Sequence, residues 1–163
     1  MKAVVYINDD ATSRTALVCD SAIQRCKDPF FVPDGGAWFA SVMRGVRIDR
    51  LGKNIGRKFA DRYYTECVTA VHPFDIDGPN DAVDRWGRDG ALVVSNAGPA
   101  DAMATNAKNA IDEKIELCSR NMTLKTGDII LVDTDRKFEI PHASANFDIE
   151  AENGFPELRF KVR

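Results

Sequence analysis

The sequence predicts a β-rich α+β fold, and three features of its residue pattern indicate it. Short apolar runs recur along the chain, which is typical of buried strands. Apolar residues at helical spacing occur in only two segments, so helices are few. An Asn-Gly pair at 153 and 154 separates two alternating segments and predicts a hairpin. The apolar runs are AVVYI at 3–7, CVTAV at 67–71, GALVVS at 90–95 and IILV at 129–132.

The first third of the chain contains two strand patterns separated by less certain segments. Residues 3–7 predict a buried strand, whereas 9–27 fits either a helix or a loop–strand–loop arrangement. Residues 29–34, PFFVPD, are bracketed by prolines and predict extended chain. Residues 38–48 alternate loosely, which predicts a second strand. The residues on one face of this strand are Phe39, Ser41, Met43, Gly45 and Arg47.

Two segments carry helical spacing. Asn54 can cap a helix that starts near Ile55, because Ile55, Phe59 and Tyr63 recur at four-residue steps. A second helix is predicted over 107–118. Its apolar positions are Ala107, Ala110, Ile111, Ile115 and Cys118, and its solvent-side charges are Asp112, Glu113 and Lys114.

The second half of the chain combines a turn-rich loop with further strands. Residues 72–81, HPFDIDGPND, hold two prolines, a glycine and three aspartates, which predicts a loop. A short strand is expected at 138–140. Within 147–151 apolar residues alternate with acids, and within 158–162 they alternate with basic residues. The outer faces of the two predicted hairpin strands therefore have opposite charge.

Composition favours one globular domain over residues 1–163. Hydrophobic residues make up 44% and charged residues 29%, and the net charge is -3. This charge gives no electrostatic case for nucleic acid. No apolar run approaches the roughly 20 residues of a membrane span, and the N-terminus does not read as a secretory signal. We therefore expect a cytoplasmic protein that binds neither nucleic acid nor membrane.

The four cysteines indicate neither a zinc site nor a nucleophile. Cys19, Cys26, Cys67 and Cys118 are widely spaced and form no C-x-x-C pair. Two disulfides are possible on count alone, but a reduced state is expected without a secretory signal. Cys67, on a predicted strand, and Cys118, on a predicted helix, are expected to be small core residues.

Three blocks of the sequence together resemble the fumarylacetoacetate hydrolase family. SRNMTLKTGDIILVDT at 119–134 is similar to that family's helix end followed by a turn and strand. RLGKNIGRKFADRYYTECVTAV at 50–71 is similar to its "GknI" helix and following strand. DSAIQRCKDPFFVPD at 20–34 resembles the lead-in to its metal-binding strand. The chain is shorter than a usual family domain, with apparent losses around 13–19, 77–85 and 95–105.

The resemblance implies a fold and a chemistry. The fold is a β-roll of mixed sheets with flanking short helices, commonly a homodimer. Family enzymes hydrolyse or decarboxylate β-dicarbonyl compounds such as acylpyruvates. They hold the substrate on Mg²⁺, Mn²⁺ or Ca²⁺, activate water with a His-Glu pair and neutralise developing charge with a lysine.

The positions that would hold the metal lack the expected acids. By this resemblance the family's Glu-x-Glu pair falls on Ser41 and Met43, and its third ligand, an Asp, falls on His72. The sequence contains no acid at 35–48, so a shift of register does not restore the pair. A hard divalent ion needs oxygen ligands, and a protein normally supplies carboxylates for it. We therefore expect no metal cofactor and no metal ligand.

The other family positions have also changed. The catalytic His would lie near Ser13 and the Glu near Ala16, while the lysine falls on Trp86. Asp89 remains from a Gly-x-Asp-Gly segment, and Thr134 remains from a substrate-binding "TGTP". The pocket candidates by family position are therefore Ser41, Met43, His72, Trp86, Asp89 and Thr134, and no catalytic residue is assigned.

Two other site readings are weaker. His72, Asp75 and Asp77 could form a replacement metal site, but a polar turn-rich loop explains the aspartates more simply. Tyr63 and Tyr64 beside basic residues could suggest a nucleic-acid patch, but a solvated helix face with one core tyrosine fits the acidic composition better. His142 is expected to be an exposed loop residue.

Three functional classes remain open. The first is a non-catalytic structural or binding protein that pairs with itself through the family's dimer surface. The second is a metal-dependent hydrolase or decarboxylase of acylpyruvate-type compounds with a rearranged site. The third is a small-molecule sensor that keeps the pocket and binds a small 2-oxo acid.

Overall fold

An eight-stranded mixed sheet forms the centre of the structure, a computed structural model that describes residues 1–9, 12–142 and 144–163. The strand order is β2-β1-β8-β4-β5-β6-β3, with β7 beside β5, and β9 and β10 form a separate pair. The predicted β-rich α+β fold of mixed sheets is confirmed. The strands are β1 (Lys2–Asp9), β2 (Thr12–Cys19), β3 (Ile23–Arg25), β4 (Trp38–Ile48), β5 (Tyr64–Asp75), β6 (Leu92–Val94), β7 (Gly98–Pro99), β8 (Ile129–Glu139), β9 (Ala145–Ile149) and β10 (Leu158–Val162).

The central strand β4 is buried on both faces. It pairs antiparallel with β5 along one side and with β8 along the other. Val46 and Ile48 pack in a core with the single α-helix, α1 (Thr105–Asn121), whereas Met43 packs in a second core on the opposite face. Period-two alternation over 38–48 is thus confirmed, and it places Ser41 and Met43 on one face of the sheet.

The ambiguous segment 9–27 is a strand followed by a short turn. β2 pairs with β1 through a complete antiparallel register, from Lys2 opposite Cys19 to Asp9 opposite Thr12. A 3₁₀ turn at Asp20–Ala22 and strand β3 follow. The pairing of this segment with β1 decides that it is a strand and not a helix. Hydrophobic periodicity within the segment does not reveal such pairing.

The predicted helix near Ile55 is wrong in type, start and cap. Residues Arg57–Tyr63 form a 3₁₀ helix capped by Gly56 without a side-chain hydrogen bond, and Asn54 instead adopts a φ of 53° in a turn. Three residues per turn bring Ala60 inward and leave Phe59 40% exposed. The four-residue spacing of Ile55, Phe59 and Tyr63 matches an α-helix, whereas the segment forms a 3₁₀ helix with three residues per turn.

Strand β5 extends beyond the predicted 67–71 run and includes His72 to Asp75, which the sequence assigns to a loop. Pro73 lies inside this strand opposite Ala40. A proline lacks a backbone N–H group, but it is tolerated there because β6 pairs with β5 only at Ala70 and Val71. On the edge of β5 that faces away from β4, Pro73 therefore has no neighbouring strand within the described residues that needs a hydrogen-bond donor. His72 is therefore held on a rigid strand.

Helix α1 contains the predicted 107–118 segment, with one error in its polar face. Asp112 is 8% exposed and accepts a hydrogen bond from the hydroxyl of Tyr64 at 2.7 Å. Burial raises the pKa of both groups. Tyr64 is thus the core tyrosine expected from the Tyr63-Tyr64 pair.

The C-terminal hairpin is confirmed. Asn153 and Gly154 have φ of 53° and 82° at its tip, and Asp148 lies opposite Arg159, whose Nε is 2.5 Å from its carboxylate. The separate strand expected at 138–140 is instead the end of β8, which runs on from Ile129 past a bulge opposite Ser41 and Met43.

No helix of the described residues is long and apolar enough to cross a membrane. All four cysteines are free thiols. Cys67 and Cys118 are buried as predicted, and burial raises the pKa of both.

Candidate functional site

A cavity of about 590 Å³ opens on the face of the sheet that carries Ser41 and Met43. Strands β1, β2, β4, β5 and β8 form its floor, and the segment 80–86 forms one wall. Four of the six pocket candidates line it together: Ser41, Met43, His72 and Trp86.

The floor of the cavity offers little negative charge. Ser41 and Met43 are 5% and 1% exposed and stand where alternation along β4 directs two side chains to this face. Opposite them on β8 lie Lys137 and Asp133. Asp133 supplies the one carboxylate that lines the cavity among the described residues. Burial raises the pKa of Asp133, and the positive charge of Lys137 opposes that shift.

His72 is buried as a neutral imidazole. It is 1% exposed, and burial lowers its pKa to about 3. Its Nδ1 lies 2.8 Å from the carbonyl oxygen of Ala91. Because a carbonyl only accepts, Nδ1 carries the proton, and Nε2 keeps a lone pair. Within the described residues Nε2 has no hydrogen-bond partner.

Trp86 covers the imidazole of His72. The two rings are stacked with centroids 3.7 Å apart and planes 11° apart. Trp86 lies in one turn of π-helix, Val83–Gly87, which begins where the Asp81 side chain accepts hydrogen bonds from the amides of Val83 and Asp84. The wall of the cavity is therefore attached to its floor by an aromatic contact.

Three cations line the cavity: Arg14 on β2, Arg85 on the wall and Lys137 on β8. The guanidinium carbon of Arg85 lies 4.9 Å from the ring centroid of Phe74, and Nζ of Lys137 lies 5.9 Å from it. Neither Arg85 nor Lys137 has a carboxylate within ion-pair distance in the described part of the chain. The cavity thus has an excess of positive charge.

Comparisons with known proteins give structural matches only. No protein-family model matches the sequence, and no curated protein matches it. The maleylpyruvate hydrolase from Sphingobium sp. SYK-6 has a TM-score of 0.81 at 17% identity, over 99% of this chain and 70% of that one. A Yersinia pestis CO92 protein placed in the fumarylacetoacetate hydrolase family gives 0.77 at 18% identity, over 99% and 92%.

The fumarylpyruvate hydrolase from Pseudomonas aeruginosa, whose crystal structure contains Mn²⁺ and pyruvate, gives a TM-score of 0.75 at 11% identity, over 99% of this chain and 89% of that one. The chain has the fold of the fumarylacetoacetate hydrolase family. The fold implied by the sequence motifs is therefore confirmed across nearly the whole chain.

The described cavity of this fumarylacetoacetate hydrolase fold does not suit a hard divalent cation. Such an ion needs several anionic oxygen donors, but Ser41, Met43 and His72 supply a hydroxyl, a thioether and an imidazole. The cations Arg85 and Lys137 would also repel it. No group of three or more His, Cys, Asp or Glu side chains within residues 1–9, 12–142 and 144–163 is arranged to hold a metal.

The alternative metal triad is likewise not assembled among these residues. Oδ1 of Asp75 accepts hydrogen bonds from the backbone amides of Ala37 and Asp77, both at 3.1 Å. Asp75 therefore organises the turn after β5, as the simpler reading expected. His72 faces the cavity from the same strand.

The remaining predicted positions are dispersed. The hydroxyl of Thr134 donates to the carbonyl of Val42 at 2.8 Å and so satisfies the backbone beside the β8 bulge. Asp89 lines a different cavity, beside Gln24 and Lys27. Ala16, near which the resemblance places the family's Glu, lines the main cavity with a methyl group. The side chain of Ser13 lies outside the described part of the structure.

A further cavity of about 560 Å³ lies between the 3₁₀ helix and α1, beside Asp61, Tyr64 and Lys108. It contains none of the predicted site residues. Sequence reasoning missed the cations Arg14, Arg85 and Lys137, which come from three distant segments. Arg14 lies in the ambiguous segment 9–27, and Arg85 and Lys137 lie in segments to which the sequence assigned no helix or strand, so no local pattern marks them.

Proposed function

We propose that this chain is a non-catalytic member of the fumarylacetoacetate hydrolase family that binds a small 2-oxo acid without a metal ion. One observation carries the proposal: a cavity of about 590 Å³ is lined by Ser41 and Met43, the residues to which the resemblance assigns the positions of the metal-binding carboxylates. A retained cavity supports ligand binding.

The side chains of the cavity also argue against the family's C–C bond chemistry. That chemistry requires an enolate to be stabilised on a metal and a base to activate water. His72 is a weak base, because burial lowers its pKa to about 3, and Ala16 offers no carboxylate. Trp86 cannot replace a lysine as a cation, because an indole carries no charge.

A metal titration tests this proposal. We expect Mg²⁺ or Mn²⁺ at millimolar concentration to leave the melting temperature unchanged, since the cavity lacks anionic donors. For a site of micromolar affinity, a millimolar ion concentration is about a thousand times the dissociation constant. Binding would then stabilise the fold by about 4 kcal/mol. The measurement is differential scanning fluorimetry in chelator-treated buffer, with pyruvate added in a second series.

The matched variant is Asp133→Asn, which removes the carboxylate of the described cavity. Stabilisation of the wild type by Mn²⁺ that disappears in this variant would establish a rearranged metal site and overturn the proposal. Loss of acylpyruvate absorbance on incubation with the Mn²⁺-loaded protein would overturn it equally. Stabilisation by pyruvate in the presence of EDTA supports it.

We further propose that residues 1–163 form one domain, that this domain assembles as a homodimer, and that it works in the cytoplasm with its four thiols reduced. Free thiols at Cys19, Cys26, Cys67 and Cys118 support the last point. Light scattering of the purified protein tests the dimer, since a monomer mass at micromolar concentration contradicts it.

A further inference from the structure

The two cations beside Phe74, Arg85 and Lys137, favour a negatively charged ligand in the cavity. Arg85 and Lys137 approach the same aromatic ring from different elements, the π-helical wall and strand β8. Arg85 is held there by a hydrogen bond to the side-chain oxygen of Asn80 and by its contact with Phe74. Both contacts are with uncharged groups, so neither neutralises the guanidinium.

The neighbouring groups compensate this positive charge only in part, because one carboxylate, Asp133, lines the described cavity beside two cations. His72 is neutral, and the carboxylate of Asp133 is buried and interacts with Lys137 without lying within ion-pair distance of it. Arg88, just beyond the wall, is a further cation whose hydrogen-bond and ring contacts are with uncharged groups. It donates a hydrogen bond to the carbonyl of Pro73, and its guanidinium carbon lies 4.7 Å from the ring centroid of Trp38. Two like charges held near one ring repel each other unless an anion lies between them.

We propose that Arg85 and Lys137 form a metal-independent clamp for a dicarboxylate, in which two side-chain cations replace the family's metal ion. This inference rests on the proposed function and names its ligand class. Charge complementarity favours two carboxylates over one, because a dianion neutralises both cations. Met43, Trp86 and Leu17 provide apolar surface for the carbon chain between the carboxylates.

The test compares succinate with succinamate, which has nearly the same shape but only one carboxylate. Affinities are measured by isothermal titration calorimetry in EDTA. We expect succinate to bind the wild type at least about tenfold more tightly, the effect of one charge-assisted hydrogen bond. Equal affinities for the two compounds, or no binding of either at millimolar concentration, would overturn the clamp.

Substitution of the exposed Lys137 locates the effect. Lys137→Gln should reduce the affinity for succinate about tenfold or more and leave that for succinamate less affected, while Lys137→Arg should retain most of it. Arg85→Gln should act in the same direction. Lys53→Gln makes the same change of net charge at an exposed turn away from the cavity and should leave both affinities unchanged.

Two failures are distinguishable. Succinate could bind in EDTA with an affinity that neither Lys137→Gln nor Arg85→Gln changes. This result refutes the clamp and leaves metal-independent binding in place. Binding that appears only with Mn²⁺ refutes the proposed function itself. Melting temperatures of the variants show whether a lost affinity reflects a lost fold.

Discussion

Gly45→Ala is expected to destabilise the protein by more than about 3 kcal/mol or to prevent it from folding. Gly45 lies in the middle of β4, between Val68 on β5 and Leu131 on β8. A Cβ atom at this position would lie 1.7 Å from the carbonyl oxygen of Ile130. That atom is backbone of a paired strand, so it cannot move without breaking the ladder on which the cavity floor is built.

Urea unfolding followed by circular dichroism measures this effect. The control is Gly56→Ala, because a Cβ at Gly56 would lie 3.7 Å from a ring carbon of Phe59 and its φ of -71° suits alanine. We expect Gly56→Ala to change the free energy of unfolding by no more than about 0.5 kcal/mol or to raise it slightly. A Gly45→Ala protein as stable as this control would refute the close approach of β4 and β8.

His72 is expected to make the stability strongly dependent on pH in the acidic range. Its pKa is lowered to about 3 in the folded state by burial, whereas a solvated histidine titrates near 6.5. The unfolded chain therefore binds a proton that the folded chain refuses. The contribution of His72 is fully present above pH 6.5 and is lost as pH falls, at roughly 1.4 kcal/mol per pH unit.

His72→Asn should remove this slope, because asparagine does not titrate while its amide can still donate to the carbonyl of Ala91. Free energies of unfolding from urea titrations between pH 7 and 4.5 measure the effect. The loss over this range should be roughly 2 to 3 kcal/mol greater in the wild type than in the variant.

His142→Asn is the matched control, since it removes the other histidine of the chain from an exposed position. It should leave the pH dependence as in the wild type. Parallel profiles for the wild type and His72→Asn would mean that the imidazole is not buried in its neutral form. The His72–Trp86 stack, which closes the wall on the cavity, would then need revision.

The sequence alone determined the class of the fold and the chemistry of two cavity positions. Period-two alternation over 38–48 placed Ser41 and Met43 on one face, and no acid occurs there in any register. The Asn153-Gly154 turn was equally readable, because the positive φ of a tight hairpin restricts the residue type at those positions. Such features depend on a few adjacent residues.

The tertiary structure decided the rest, because it depends on contacts between segments that are distant in sequence. Pairing with β1 made β2 a strand, and the short reach of β6 allowed β5 to continue through His72 and Pro73. Only the curled sheet brings Arg85 and Lys137 to one aromatic ring. The net charge of -3 gave no sign of this basic cavity, because a local electric field depends on where charges lie and not on their sum.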